Sequence, residues 1–260
     1  MTHDLTALAA VAQQLADAAR VATLRHFRKP LTIDSKRADF DPVTIADREA
    51  EAALRAVLAR LRPQDGVLGE EQAATPGTSG LTWVLDPIDG TRGFISGTPT
   101  WGVLIALQDD TGPILGIIDQ PFTAERFAGG PDGATWTRGA EHHPISVRDT
   151  KTLSEATILT TFPEVGTKAE GAAFHRVAGA CRLTRYGMDC YGYALLAAGH
   201  VDLVIEAGLQ AYDIAAPVAV VQAAGGIVTD WQGGPVHAGG QAIAAATPEL
   251  HAAAMELLHG

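Results

Sequence analysis

Asparagine is absent from all 260 residues, cysteine occurs only twice, and lysine supplies just four of the 19 basic side chains. Two thiols, Cys181 and Cys190, make neither a disulfide framework nor a zinc site and point to a reducing, cytoplasmic setting. No His-x₃-His or His-Glu-x₂-His spacing occurs among the nine histidines, so zinc chemistry has no support. Positive charge is scarce as well. With 19 basic against 30 acidic residues the formal net charge is −11, which excludes nucleic-acid phosphate or an anionic membrane as the main partner. An acidic chain binds anions where a metal reverses the local field. No apolar run approaches the ~20 residues needed to cross a bilayer. Residues 1–20 form an Ala-rich amphipathic pattern with Asp4 and Asp17, unlike a basic leader followed by an apolar segment. The lack of Asn and the abundance of Ala and Arg read as genome composition and carry no function.

What remains is enough for one large or two modest domains. Leu5, Leu8, Ala12, Leu15, Ala19 and Ala22 recur at helical spacing and predict a first helix of roughly six turns. A charged loop over 29–42 leads to a second helix starting near Thr44, with Leu54, Val57, Leu58 and Leu61 on one face and Pro63 as its stop. Segments 83–85, 101–107, 114–119 and 126–128 then read as strands of an antiparallel meander, with Trp83 and Trp101 as core residues. His142 and His143 read as a polar turn. After about Ser146 the pattern alternates: strands at 156–161, 182–186, 201–206 and 227–229, helices at 168–180, 191–198, 214–224 and 248–258. The expected organisation is therefore an α+β half, 1–145, joined to an α/β half, 146–260, within one body. No repeat, P-loop or Rossmann glycine pattern is found.

The densest chemical signal is Asp86-Pro87-Ile88-Asp89-Gly90-Thr91, just after a short apolar strand. Two carboxylates three residues apart, with Pro fixing the turn between them, can converge on one hard divalent cation, and a backbone carbonyl can join them. Gly90-Thr91 adds backbone N–H groups able to approach an anion. Three other acidic segments accompany it: Asp41 to Asp47 at the entry to the second helix, Glu70-Glu71 in a loop, and Asp213 opening a downstream helix. Taken singly, each has a plainer explanation as an Asp-Gly turn, a solvated pair or a helix cap.

In order and spacing these segments resemble the inositol monophosphatase superfamily of magnesium-dependent, lithium-sensitive phosphatases. The resemblance spans nearly the whole chain, from Lys36 and the Asp41–Asp47 stretch through Glu70-Glu71 and 86–91 to Asp213 and Gly225-Gly226. It implies a layered α-β-α-β-α sandwich and a homodimer. It also implies two to three Mg²⁺ ions: Glu70, Asp86 and the Ile88 carbonyl at one, Asp86, Asp89 and Asp213 at a second, and Glu70 shared with a weaker third. By the same resemblance the Gly90 and Thr91 amides take the phosphate, and the Thr91 hydroxyl, tied to Asp47, orients the attacking water. Neither cysteine sits in a Cys-x₅-Arg loop, so nothing suggests a covalent phospho-enzyme.

The metal site sees only phosphate, so substrate choice must come from groups facing the organic part. Here Arg185, Asp189 and Glu206 are informative. Inositol phosphatases generally carry a small residue where Asp189 stands, and an Asn-Phe form near Arg92-Gly93-Phe94. Both departures resemble the histidinol-phosphatase branch, whose substrate carries an ammonium and an imidazole. Asp189 or Glu206 would pair with the ammonium and aromatic residues would border the ring. Plainer roles stay open: Asp189 as a helix cap, Glu206 as a structural ion-pair partner, Arg185 bound to phosphate, a neighbouring subunit or Asp189. The expected activity is hydrolysis of histidinol phosphate in histidine biosynthesis. Alternatives are inositol monophosphate or a phosphoadenosine nucleotide as substrate, or a phosphatase-like partner of transcription machinery.

Overall fold

The computed structural model describes residues 4–35 and 42–260; Lys36 and Asp41, part of the sequence resemblance, lie outside the described residues. Helix α1 (Leu5–Leu24) starts where the Asp4 carboxylate accepts the Ala7 N–H at 3.0 Å, and it buries the expected Leu8, Ala12, Leu15 and Ala19 stripe. The segment expected to be a loop contains a short antiparallel pair, β1 (Ile33–Ser35) and β2 (Pro42–Thr44). Helix α2 (Ile45–Leu61) follows directly, opened by a capping box between Thr44 and Asp47.

A seven-stranded sheet comes next, in spatial order β3 (Gly66–Gly69), β4 (Thr82–Asp89), β5 (Gly102–Asp109), β6 (Gly112–Gln120), β7 (Glu125–Gly130), β8 (Gly133–Arg138) and β9 (Glu141–Ile145). A single turn of helix, α3 (Thr91–Ser96), interrupts it between β4 and β5. The remaining chain gives β10 (Thr157–Thr160), α4 (Lys168–Ala180), β11 (Leu183–Tyr186), α5 (Asp189–Ala197), β12 (Leu203–Gln210), α6 (Ala211–Ala223), β13 (Ile227–Thr229), β14 (Gly239–Ala245) and α7 (Pro248–His259). Its five strands order as β11-β10-β12-β14-β13.

Strands β3, β8, β9 and β14 were not anticipated. On β9 most side chains are exposed, so no alternation marks it; His142 and His143 are strand residues, and His143 stacks on Trp136 with ring centroids 5.7 Å apart. Strand β14 is Gly- and Ala-rich, with weak intrinsic strand preference, and its place is set by pairing with β12 and β13.

The layers follow from which faces are apolar. Helices α1 and α2 cover one face of the large sheet through Leu15, Leu54, Leu58, Trp83 and Trp101. Helices α4 and α7 cover the outer face of the small sheet through Phe174, Val177, Ile243 and Leu250. Between the sheets lie α5 and α6. Helix α6 is hydrophobic all round, as a helix with no solvent face must be. It lies so close to β6 that a Cβ on Gly116 would sit 2.6 Å from the Ala216 carbonyl oxygen. The small residues that looked like genome composition therefore have a packing role here. The result is the α-β-α-β-α sandwich. Among the described residues no helix is long and apolar enough to cross a membrane.

One buried ionic cluster fastens α1 to the large sheet. Asp119, fully buried, accepts from Arg20 Nε and an Nη group at 2.8 Å each and from Arg126 Nε at 2.6 Å. Arg126 also reaches Asp17 at 2.7 Å and the Gln13 side chain at 2.6 Å. Removing the shared acceptor leaves two guanidinium groups facing each other with little water, which typically costs about 3–5 kcal/mol. Asp119→Ala is therefore expected to lower the unfolding free energy by that amount, seen as a lower urea midpoint at an unchanged m-value in equilibrium unfolding.

Candidate active site

Strand β4 does not stop before the acidic motif, as the sequence suggested, but carries it. Its pairing with β5 runs to Asp86 opposite Leu104, breaks, and resumes at Asp89 opposite Gly102. The irregularity at Pro87-Ile88 re-aims both acids, a usual effect of a bulge beside a site. The Asp86 Oδ1 accepts the Ile88 N–H at 3.0 Å. Gly90 then takes φ +79°, a left-handed turn that an L side chain rarely adopts, and opens α3.

Carboxylate oxygens of Asp86, Asp89 and Asp213 lie within 4.8 Å of one another, though Asp213 comes from the first turn of α6 on the other side of the molecule's sequence. Glu70, from the loop after β3, faces the same cleft. Burial pushes the Asp86 carboxyl well above the ordinary range, and the charges of Glu70, Asp89 and Asp213 push it further. Asp89 is raised by burial and then by Asp189 and Asp213, opposed by the Cys190 N–H, which donates to it at 2.6 Å. Acids gathered this way without a cation destabilise one another; an all-oxygen donor set fits a hard divalent ion.

Thr91 and Asp47 also meet. The Thr91 hydroxyl lies 3.4 Å from Asp47 Oδ1 and 3.2 Å from the Ile88 carbonyl oxygen. Asp47 is buried, and its Oδ2 accepts from both the N–H and the hydroxyl of Thr44, at 2.8 and 2.7 Å. The capping box that starts α2 thus doubles as the mount for Thr91.

The cleft, of about 270 Å³, continues past the acids to Thr161, Phe162, Asp189, Glu206 and Tyr212. The two carboxylates expected on this side differ. Glu206 is committed: Oε1 accepts from the Thr161 N–H at 2.7 Å and hydroxyl at 2.9 Å, and Oε2 from the Thr160 hydroxyl at 3.2 Å. Asp189 accepts one long contact from Thr100, at 3.5 Å, and its φ of +45° is left-handed. It is the first residue of α5, whose N-cap is Met188 with no side-chain cap bond, so the helix-cap explanation does not describe it. Burial lifts Asp189 to about 6 and Glu206 to about 7. Arg185 is exposed on the edge strand β11 and is not among the residues lining the cleft.

Two residues went unread in the sequence. Phe162 lines the cleft with 43% of its surface exposed, and no motif marks it. Glu51, on α2, is fully buried and accepts from the Glu71 N–H at 2.6 Å, the Gln72 N–H at 3.1 Å and Arg55 Nε at 2.7 Å. A Cβ on Gly69 would lie 2.3 Å from its Oε1, so the chain presses against it. Glu51 therefore holds the turn that presents Glu70. Only its spacing, one helical turn after Asp47, hints at this.

With this geometry the comparisons with known proteins agree. A model described as the inositol monophosphatase family matches residues 4–260. The bifunctional chloroplastic phosphatase IMPL2 of Arabidopsis thaliana is 41% identical over 266 residues, covering 98% of this chain and 76% of the relative. The histidinol-phosphatase of Mycobacterium tuberculosis is 36% identical over 250 residues, covering 94% of each. The solved structure of an inositol monophosphatase from Zymomonas mobilis superposes with a TM-score of 0.88 at 42% identity, with both chains covered in full.

Outer groups that orient metal ligands commonly govern affinity by ~10- to 100-fold. Glu51→Gln puts an amide where two N–H groups and a guanidinium need an acceptor, so calorimetric titration is expected to show divalent-metal affinity about 10-fold weaker or more. A second expectation concerns pH. Raised folded-state values for Asp189 and Glu206 mean that the folded protein binds more protons than the unfolded chain until pH passes about 7. The stability from these two groups is thus complete below the ordinary carboxylate range and lost as pH rises through about 6 and 7. In chelator, the Tm should fall from about pH 5 to about pH 8, and less so in an Asp189→Asn, Glu206→Gln double variant.

Proposed function

Because this chain belongs to the inositol monophosphatase family and is a phosphoric monoester hydrolase, we propose that its substrate is L-histidinol phosphate, which water cleaves to histidinol and inorganic phosphate. The observation that carries the reading is the position of Asp189. Its Cγ lies 2.8 Å from where a Cβ of Gly90 would be, directly over the backbone assigned to the phosphate. In histidinol phosphate the ammonium is borne on the carbon next to the ester CH₂, so a carboxylate beside the phosphate turn is where that charge needs a partner. A half-buried carboxylate held in a left-handed backbone conformation is a costly arrangement, which the surrounding structure must enforce.

In this reading Glu70, Asp86, the Ile88 carbonyl, Asp89 and Asp213 would hold Mg²⁺ at two to three positions. Bound there, the ion would polarise the phosphoryl oxygens and lower the pKa of water. The chain's own groups do the positioning. The Gly90 and Thr91 N–H groups face the phosphate. The Thr91 hydroxyl donates to Asp47 and offers its lone pairs to the water, whose attack line is fixed by the Thr44–Asp47 mount. Asp189 pairs with the ammonium. Glu206, committed to Thr160 and Thr161, shapes the wall of the cleft and adds negative potential. Arg185 lies toward the exposed edge of β11, beside exposed Leu183 and Tyr186, a strand edge that suits a second copy in a homodimer. A cytoplasmic enzyme of histidine biosynthesis completes the reading.

The likeness to the Zymomonas mobilis inositol monophosphatase supports a second substrate, inositol monophosphate. Phosphate release from histidinol phosphate, inositol-1-phosphate, fructose-1,6-bisphosphate and phosphoadenosine phosphate, with and without chelator, decides between them. Preference for inositol phosphate would sink the histidinol assignment. Asp189→Asn keeps shape but removes charge. A broken carboxylate–ammonium pair costs ~2–5 kcal/mol, so kcat/KM for histidinol phosphate should drop at least about 30-fold relative to glycerol phosphate. Equal losses on both esters would make Asp189 a fold residue.

A further inference from the structure

We propose that Phe162 is the platform on which the substrate's flat ring stacks, and so the residue that selects a ring-bearing phosphate ester. This rests on the phosphatase reading of the cleft and adds a second recognition element to it.

Phe162 is an aromatic on the wall of an acidic cleft, with 43% of its surface exposed. It is nonetheless held in place. The preceding residue, Thr161, gives both its N–H and its hydroxyl to the buried Glu206, at 2.7 and 2.9 Å. The carboxylate expected to bind substrate instead fixes the segment that presents the ring. The face of Phe162 already receives a planar cation: the Arg92 guanidinium carbon lies 5.0 Å from the ring centroid. Arg92 also lines the cleft, and its charge reaches Asp189. Arg92 thus brings a flat group to the aromatic face and a positive charge into the field of the carboxylate. Histidinol phosphate presents the same two features, a flat heterocycle and an ammonium, joined by a short aliphatic link and anchored by the phosphate near Gly90. Glycerol phosphate has no ring to lay on Phe162.

The test compares kcat/KM for histidinol phosphate, phenyl phosphate and glycerol phosphate in wild type, Phe162→Leu and Phe162→Trp. Leu keeps apolar bulk and removes the π face; Trp restores it. For Phe162→Leu the ratio of histidinol phosphate to glycerol phosphate should fall by about 3- to 30-fold, mainly through KM, and Phe162→Trp should recover it. An unchanged ratio, or equal losses on both esters, overturns the platform while leaving the histidinol reading intact. If wild type does not hydrolyse histidinol phosphate, the parent reading fails instead. The ratio of phenyl to glycerol phosphate then decides: a fall in Phe162→Leu upholds a ring platform for another ester, and no change overturns it.

Discussion

Mutual repulsion among buried carboxylates is the constraint that the rest of this structure answers. Asp86, Asp89 and Asp213 arrive from a strand and a distant helix and stand within 4.8 Å of each other. Ion pairs with Lys or Arg would relieve the repulsion but would also compete with a bound cation. The chain uses backbone N–H groups instead: Ile88 for Asp86, Cys190 for Asp89, Gln210 for Asp213, Thr44 for Asp47 and Thr161 for Glu206. Each such bond orients a carboxylate without cancelling its charge, because a backbone amide is a dipole and not an ion. Arg55 pairs with Glu51, one step back from the cleft, and Arg92 lines the cleft on the Asp189 side, away from the three clustered acids.

This requirement explains why the layers meet where they do. The bulged end of β4, the first turn of α5 and the first turn of α6 must approach one point. That is possible only if α6 lies against the large sheet at close range, with glycine and alanine at the contact. On the opposite face, α2 contributes two successive turns: Asp47 mounts Thr91, and Glu51 mounts the loop of Glu70. A shift of α2 along its axis would move both the Asp47–Thr91 pair and the loop that carries Glu70. The buried Asp119 cluster, which ties the neighbouring α1 to the sheet, therefore protects site geometry as well as stability.

The acids were legible in the sequence because metal binding demands particular residue types at short, fixed spacings. The hexapeptide from Asp86 to Thr91 carries its chemistry locally. The long amphipathic helices were legible for a similar reason, since a 3.6-residue period persists over many turns. Glu51 and Phe162 were not, because nothing local distinguishes a buried glutamate on a charge-rich helix or a phenylalanine before a proline. Their meaning comes from what the fold sets opposite them. Strands β3, β9 and β14 were missed for a third reason. β3 is four residues bounded by glycines, β9 is exposed along most of its length and β14 is largely Gly and Ala, so the apolar alternation that marks a strand is weak and ladder pairing supplies what propensity does not. In β8, Ala134 and Trp136 do alternate with Thr135 and Thr137, but over too few residues to stand out. The hairpin-like pair β1 and β2 is too short to carry a period at all.

The two halves of the cleft obey different rules, and this separates mechanism from specificity. The phosphate end is built from backbone turns and carboxylates whose placement depends on α2, β4 and α6 together. Change there disturbs several elements at once. The organic end is built from single side chains at the starts of α3 and α5 and on one loop after β10. Asp189, Arg92 and Phe162 can each be exchanged with little effect on the layers beneath. Glu206 stands at the junction. It is buried deeply enough to need its three hydrogen bonds, and they turn a ligand-facing carboxylate into part of the wall. A charge so engaged discriminates among ligands mainly through its field, whereas Asp189, with one long contact at 3.5 Å, retains the lone pairs to form a new bond. Asp189 therefore keeps more acceptor capacity for a new partner than Glu206 does, and that side of the cleft can vary while the carboxylate cluster stays constant.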